Sequence, residues 1–214
     1  MNKPFILWSH PRSASSQFLE IYAKDVNLKV NLEEPIKKGS DTLENLLNDK
    51  VSFKVMGFHS TQEMIDQTIN ADYDHLILFR KDIYRTYLSF CFSCATGIWH
   101  KHQIENNEKT PLDIMKGVIK ARISEEGVYN TKTRVNDIKR FYKDLNRVYL
   151  HLEKNNVPFK LIETKQAIDY LGPFGFQGTD KHYHNLENAQ AKEELEPFIQ
   201  TLEIYKNHDM QSTI

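Results

Sequence analysis

Pro4-Phe5-Ile6-Leu7-Trp8-Ser9-His10-Pro11-Arg12-Ser13-Ala14-Ser15-Ser16-Gln17-Phe18 is the stretch that decides the fold. Its first half is a short apolar run closed by His10-Pro11, and its second half opens a helical spacing that continues through Leu19, Tyr22 and Ala23. Strand, tight loop and helix thus follow one another. The same alternation recurs downstream. Leu28 to Leu32 alternates like a strand and stops at Glu33-Glu34-Pro35, and Asp41 and Glu44 form a helix-opening pair ahead of Leu46 and Leu47. Val51 to Phe58 reads as a third strand, and Ser60-Thr61-Gln62-Glu63 opens the next helix with the same capping pattern. His75 to Phe79 is the most apolar strand and precedes a helical run from about Asp82 to Ala95. Helical spacing fills Pro111 to about Asn155, Phe159 to Ile162 is a last strand, and a glycine-containing loop from Leu171 to Gly178 leads to a terminal helix from about Leu186 to Tyr205. Short apolar strands alternating with helices predict an α/β fold in three layers, with a mostly parallel central sheet flanked by helices. No repeat, low-complexity tract or linker divides residues 1–214, so one domain is expected.

Composition narrows the function classes. Lys and Arg number 28 against 29 Asp and Glu, a net charge of −1, which removes the bulk electrostatic case for nonspecific nucleic-acid binding. A local anion site is still allowed. Cys91 and Cys94 give no disulfide framework, and their C-x-x-C lies inside a helical run rather than at its start. The opening apolar run is too short for a signal-peptide core or a membrane span, and no later stretch is long enough either, so a cytoplasmic, reducing compartment is expected. His100-Lys101-His102 and His182-Tyr183-His184 have metal-like spacing without a completing ligand set, and no metal is expected. The stripe from Val135 to Leu152 reads as a packed helix face.

Ligands of parallel α/β sheets gather where the strands end and the helices begin. In the loop after the first strand, a helix N-terminus with its outward amides is joined by the Ser13, Ser15 and Ser16 hydroxyls and the Arg12 guanidinium, a set that suits an anion cradle, while serines at such a place also serve simply as helix caps. The loop is no Walker A motif, since G-x-x-x-x-G-K-[ST] is missing. It resembles instead the 5′-phosphosulfate-binding loop of the sulfotransferases that use 3′-phosphoadenosine 5′-phosphosulfate (PAPS). Pro11, Arg12, Ser13, Ser15 and Ser16 match that loop, and Ala14 stands where the family usually has Gly. The departure matters if the position needs positive φ.

A second segment resembles the same family. The apolar strand from His75 to Phe79 ends in Arg80-Lys81, and Ser89 lies about two helical turns further on, like the family's 3′-phosphate segment. The family's usual separation is eight residues. Arg80 stands nine before Ser89 and Lys81 eight, so Arg80 is taken and Lys81 is the register alternative. Glu34 precedes Pro35 as in many bacterial sulfotransferase-like proteins, where a Glu of this region is the base in several branches. His59 is the rival, since the cytosolic branch carries a Lys and then a catalytic His at the end of its third strand, closer together than Lys54 and His59.

The resemblance implies a P-loop-like three-layer fold with PAPS lying across the ends of the first and fourth strands. Arg12 and the backbone of Ser13, Ala14, Ser15, Ser16 and Gln17 would hold the 5′-phosphate, and Arg80 and Ser89 the 3′-phosphate. Glu34 or His59 would take the proton of an acceptor hydroxyl or amine on a small molecule or glycan, with adenosine 3′,5′-bisphosphate released and no metal required. Phe90 to Thr110 would line the acceptor pocket, and Gly175 to Lys181 would replace the family's missing Arg-Lys-Gly segment as a nucleotide lid. Two other classes compete. A P-loop nucleotide kinase needs a Walker-type lysine and a metal carboxylate. A nonenzymatic nucleotide-binding protein would keep Arg12 and Arg80 and need no base.

Overall fold

The computed structural model describes residues 3–31, 40–96, 131–174 and 188–207. Strand β1 (Phe5–Ser9) is followed by α1 (Ser15–Asp25), β2 (Val30–Asn31), α2 (Ser40–Asn48), β3 (Ser52–Met56), a 3-10 turn (Gly57–His59), α3 (Gln62–Ile69), β4 (Asp74–Phe79) and α4 (Ile83–Thr96). Then come α5 (Thr131–Lys154), β5 (Phe159–Glu163), α6 (Thr164–Leu171), a second 3-10 turn (Gly172–Phe174), α7 (Ala189–Ile199) and α8 (Glu203–Asn207). The strands form one all-parallel, five-stranded sheet in the order β2-β3-β1-β4-β5, so the α/β class read from the sequence holds. Among the described residues no helix is long and apolar enough to cross a membrane.

The chain groups into two compact units. One comprises Met1–Lys81, Arg140–Gly178 and Ile199–Ile214 and holds the whole sheet. The other comprises Asp82–Lys139 and Thr179–Phe198. Within the second unit Asn188 is the organising polar residue. Its backbone N–H donates to the Tyr84 hydroxyl at 2.6 Å, its side-chain amide donates to Tyr87 and Thr131, and its Oδ1 accepts from Ala191 N–H in the first turn of α7.

In the sheet unit every residue of β1 is buried, as expected of a parallel strand covered on both faces. Phe5 and Leu7 join Leu76, Leu78 and Ile162 on one face, where Phe18 and Leu19 of α1 and Ala167 and Leu171 of α6 close the core. Trp8 points to the other face and donates its indole N–H to His75 Nδ1 at 3.0 Å. The C-terminal half of α5 packs there through Tyr149, edge-on to Phe159 with ring centroids 5.4 Å apart. Three helix-to-strand turns share one chemistry. After α1, α2 and α5 the residues Asn27, Lys50 and Asn156 take positive φ, and the next N–H donates back to a carbonyl five residues earlier: Leu28 to Ala23, Val51 to Leu46 and Val157 to Leu152.

The differences from the sequence reading have local causes. β3 ends at Met56 rather than Phe58, because Gly57 lies against the backbone of Leu145 and Arg147 donates to the Ser60 carbonyl at 2.6 Å, which draws the chain into a 3-10 turn. Thr61, not Ser60, caps α3 by accepting from Met64 N–H, while the Ser60 hydroxyl donates to the Gly57 carbonyl. Helix α6 occupies the stretch between the last strand and the loop at Leu171, to which the sequence reading assigned no element. It is opened by a capping box in which Glu163 accepts from Lys165 N–H and Gln166 accepts from Glu163 N–H. The terminal helix is two helices. Pro197 removes one backbone donor near the end of α7, and α8 docks on α5 by donating Ile204 N–H to Asn146 at 2.9 Å.

Gly57 supplies a sharp test. A Cβ there would stand 2.9 Å from Leu145 N, whereas nothing lies within 4 Å of one at Gly172. Gly57→Ala is expected to cost about 1–3 kcal/mol in urea unfolding, the usual scale of overpacking, and Gly172→Ala to change stability by less than about 0.5 kcal/mol.

Candidate functional site

Chain connections place the crevice. The connection leaving β1 runs to β2 on one side of the sheet, the one leaving β4 runs to β5 on the other, and β1 and β4 are neighbours. Their carboxyl ends therefore flank the switch point at which such sheets bind ligands. The loop His10–Ala14 and the residues Arg80 and Lys81 stand at that point.

The loop is shaped by two left-handed residues, Arg12 at φ 67 and Ala14 at φ 62. Ala14 is the N-cap of α1 and makes no side-chain capping bond. The first helical hydrogen bond runs from Phe18 N–H to the Ala14 carbonyl at 3.0 Å, so the amides of the preceding turn point out of the helix toward the crevice. The serines divide their work. Ser13 is fully buried and donates to the His10 carbonyl at 2.8 Å, which closes the loop from within. Ser16 accepts from the ammonium of Lys54, a residue of β3 that is only 7% exposed. A buried cation thus meets the first turn of α1.

His10 fixes the two strand ends to each other. It is fully buried, and its Nε2 accepts the backbone N–H of Arg80 at 2.9 Å, so Nδ1 carries the proton and donates to the Pro11 carbonyl at 2.8 Å. Burial pushes its pKa down to about 3; the Pro11 bond opposes this and the Arg80 charge adds to it. Tyr142 of α5 stacks on the imidazole at 4.3 Å and donates its hydroxyl to the Arg80 carbonyl at 2.6 Å. Arg80, 6% exposed, is therefore held at both backbone polar groups. Lys81 donates its N–H to Glu163 at 3.3 Å, and its ammonium lies 5.1 Å from the Tyr205 ring centroid. Thr164 donates to the Phe79 carbonyl at 3.1 Å, tying in the end of β5.

The remaining candidates are distributed as follows. His59 is half-buried in the turn after β3, its ring against Phe58 at 3.9 Å. Lys54 reaches Ser16 of α1, and His59 lies in the turn beyond the strand end. Ser89 is fully buried in α4 and belongs to the second unit, where its carbonyl accepts from Ser93. Glu34, the segment Gly175–Lys181 and the histidines at 100, 102, 182 and 184 lie outside the described residues. His10, Tyr142 and Thr164 were not singled out from the sequence. Lys54 was the residue with a usable signal: a lysine between Phe53 and Val55 in an apolar strand has to find a buried partner. Compared with family models, curated proteins and solved structures, the chain has no match.

Two measurements check this geometry. Ala14→Gly should stabilise the protein by about 1 kcal/mol in chemical denaturation, because glycine takes positive φ without the Cβ penalty. His10 is neutral in the native state and ordinary when unfolded, so below pH 6.5 the unfolded chain binds the extra proton and stability falls as pH falls. His75, pushed down to about 4 chiefly by burial, acts in the same direction. Between pH 6.5 and 5 the unfolding free energy should drop by up to about 1.4 kcal/mol per pH unit for each histidine. His10→Gln should flatten that slope by one histidine's share.

Proposed function

We propose that this protein is a cytoplasmic, PAPS-dependent sulfotransferase. The observation that carries the reading is that the two segments resembling the family's phosphate-binding motifs end neighbouring strands at one switch point and are joined there by His10. Arg12 and the amides from Ser13 to Gln17 would hold the 5′-phosphate and stabilise charge on the leaving oxygen. Lys54 adds an ammonium at Ser16. Arg80 would hold the 3′-phosphate, with Lys81 as the register alternative; Ser89 enters through the resemblance alone. PAPS supplies the sulfuryl group. As an acceptor oxygen bonds to sulfur and the bond to the 5′-phosphate oxygen breaks, the acceptor proton passes to Glu34 or His59. The acceptor is a small molecule or glycan bearing a hydroxyl or amine.

A phosphotransferase is the second reading, and Lys54 favours it by supplying the cation that the loop lacks as a Walker motif. Metal dependence separates the two. Transfer from PAPS should proceed in excess EDTA, and a strict magnesium requirement would favour the kinase.

Adenosine 3′,5′-bisphosphate is expected to raise the melting temperature and 5′-AMP to raise it much less. At about 100 times the dissociation constant the stabilisation is about 2.7 kcal/mol. Arg80→Ala should erase the difference between the nucleotides; if Lys81→Ala erases it instead, the register moves by one. Equal shifts from both nucleotides would remove the 3′-phosphate site and the sulfotransferase reading with it. For the base, Glu34→Gln should lower turnover by about 10² to 10⁴ with nucleotide affinity nearly unchanged, and His59→Gln should cost much less. The reverse ranking transfers the role to His59.

A further inference from the structure

A cavity lies at the opposite end of the sheet, at the amino ends of β1, β4 and β5. Its volume is about 380 Å³, within the range of small-molecule sites. Residues that share a register share a face, so Phe5 and Asp74, one pair, and Leu76 and Lys160, another, all project from the face covered by α1. Phe5, Tyr22, Leu28 and Leu76 give the cavity an apolar floor. Tyr22 is fixed there by an edge-on contact with Phe5 at 5.2 Å and a stacked one with Phe18 at 5.3 Å.

The polar groups are few and unequal. Lys3 is shared by Asp72 at 3.1 Å and Asp74 at 3.6 Å, one cation between two carboxylates, so it is not open to a ligand. Lys160 also lines the cavity, is exposed, and makes no ion pair with a described residue. The Tyr22 hydroxyl makes no hydrogen bond to a described residue. Burial, with the charges of Asp74 and Asp25, raises its pKa and keeps it a neutral donor. An apolar floor, with Lys160 outside any ion pair to a described residue and one phenolic donor at the rim, matches an amphipathic anion whose charge pairs with Lys160, away from the carboxylates held at Lys3.

We infer that this cavity binds a small monocarboxylate with an aromatic or branched apolar body, the body against Phe5, Leu28 and Leu76 and the carboxylate at Lys160 and Tyr22. The site is independent of the proposed activity, since it shares no residue with the loop at His10–Gln17 or with Arg80.

The test is a titration of the full chain with 3-phenylpropionate, compared with 3-phenylpropan-1-ol and 2-phenylethylamine, read by calorimetry and by amide chemical shifts. Saturable binding of the acid is expected, about tenfold or more tighter than the alcohol or the amine, the scale of one charge-assisted contact. Shifts should centre on Tyr22, Leu28 and Leu76. Lys160→Met keeps the aliphatic stem at an exposed position and should abolish the preference for the acid; Lys24→Met, which removes an equal charge from the exposed side of α1, should leave it intact. Tyr22→Phe should weaken the acid several-fold. Absence of saturation with the acid, equal or tighter binding of the alcohol or amine, or an undiminished preference in Lys160→Met would each overturn the assignment.

Discussion

The bond from Arg80 N–H to the Nε2 of a buried, neutral His10 is the constraint on which the crevice depends. The β1–β4 ladder stops at Ser9 and Leu78, and beyond it the backbone polar groups need other partners. His10 supplies one for Arg80 N–H, Tyr142 one for the Arg80 carbonyl, and Thr164 one for the Phe79 carbonyl. Side chains from α5 and the start of α6 thus continue what the sheet leaves unfinished. The arrangement works with one protonation state. A charged imidazole would carry a proton on Nε2 and lose its acceptor toward Arg80 N–H, while burying a charge beside a guanidinium, and the depressed pKa expresses that cost.

Fixing Arg80 at its backbone has a chemical consequence. An arginine binds a planar or tetrahedral anion through a rigid fork, and the precision of that contact depends on where the side chain starts. Here the starting point is held on both sides, and the loop carrying Arg12 is tied to it through the same histidine. Lys54 reaches Ser16 from β3, so cationic residues stand on or at the ends of three adjacent strands. The opposite end of the sheet is built differently, with an apolar floor and charges confined to the rim.

The parts legible in the sequence were those written locally. The strand–loop–helix of residues 4–18 declares itself by a change of period, and the positions of β4 and β5 by short apolar runs between polar ends. The Arg12–Gln17 loop was found because its residues are consecutive. What stayed hidden depended on partners far along the chain: Lys54 meets Ser16 across 38 residues, and His10 meets Arg80 across 70. Nothing beside His10 marks it as a buried acceptor. Helix α6 was missed for a different reason. It is eight residues long, and the Glu163 that caps it is also the last residue of β5, so strand end and helix start overlap.

Backbone strain separates this loop from the other turns. Of the five described non-glycine residues at positive φ, Asn27, Lys50 and Asn156 follow helix ends, where a left-handed residue lets the next N–H reach back and satisfy a carbonyl. Asn also tolerates that conformation better than most residues. Arg12 and Ala14 instead precede a helix, and a β-carbon at positive φ costs about 1–2 kcal/mol each. Fully burying a side chain such as Trp8, Phe18 or Leu19 contributes about 1.5–3 kcal/mol, so the adjoining core can hold the loop in that form. What the strain achieves is directional. It turns the chain sharply after Pro11, so that α1 starts at Ser15 directly beyond the end of β1. Strain of this kind persists where the surrounding structure over-determines it, and its coincidence with the buried His10, Lys54 and Arg80 is a physical reason to look for the ligand here.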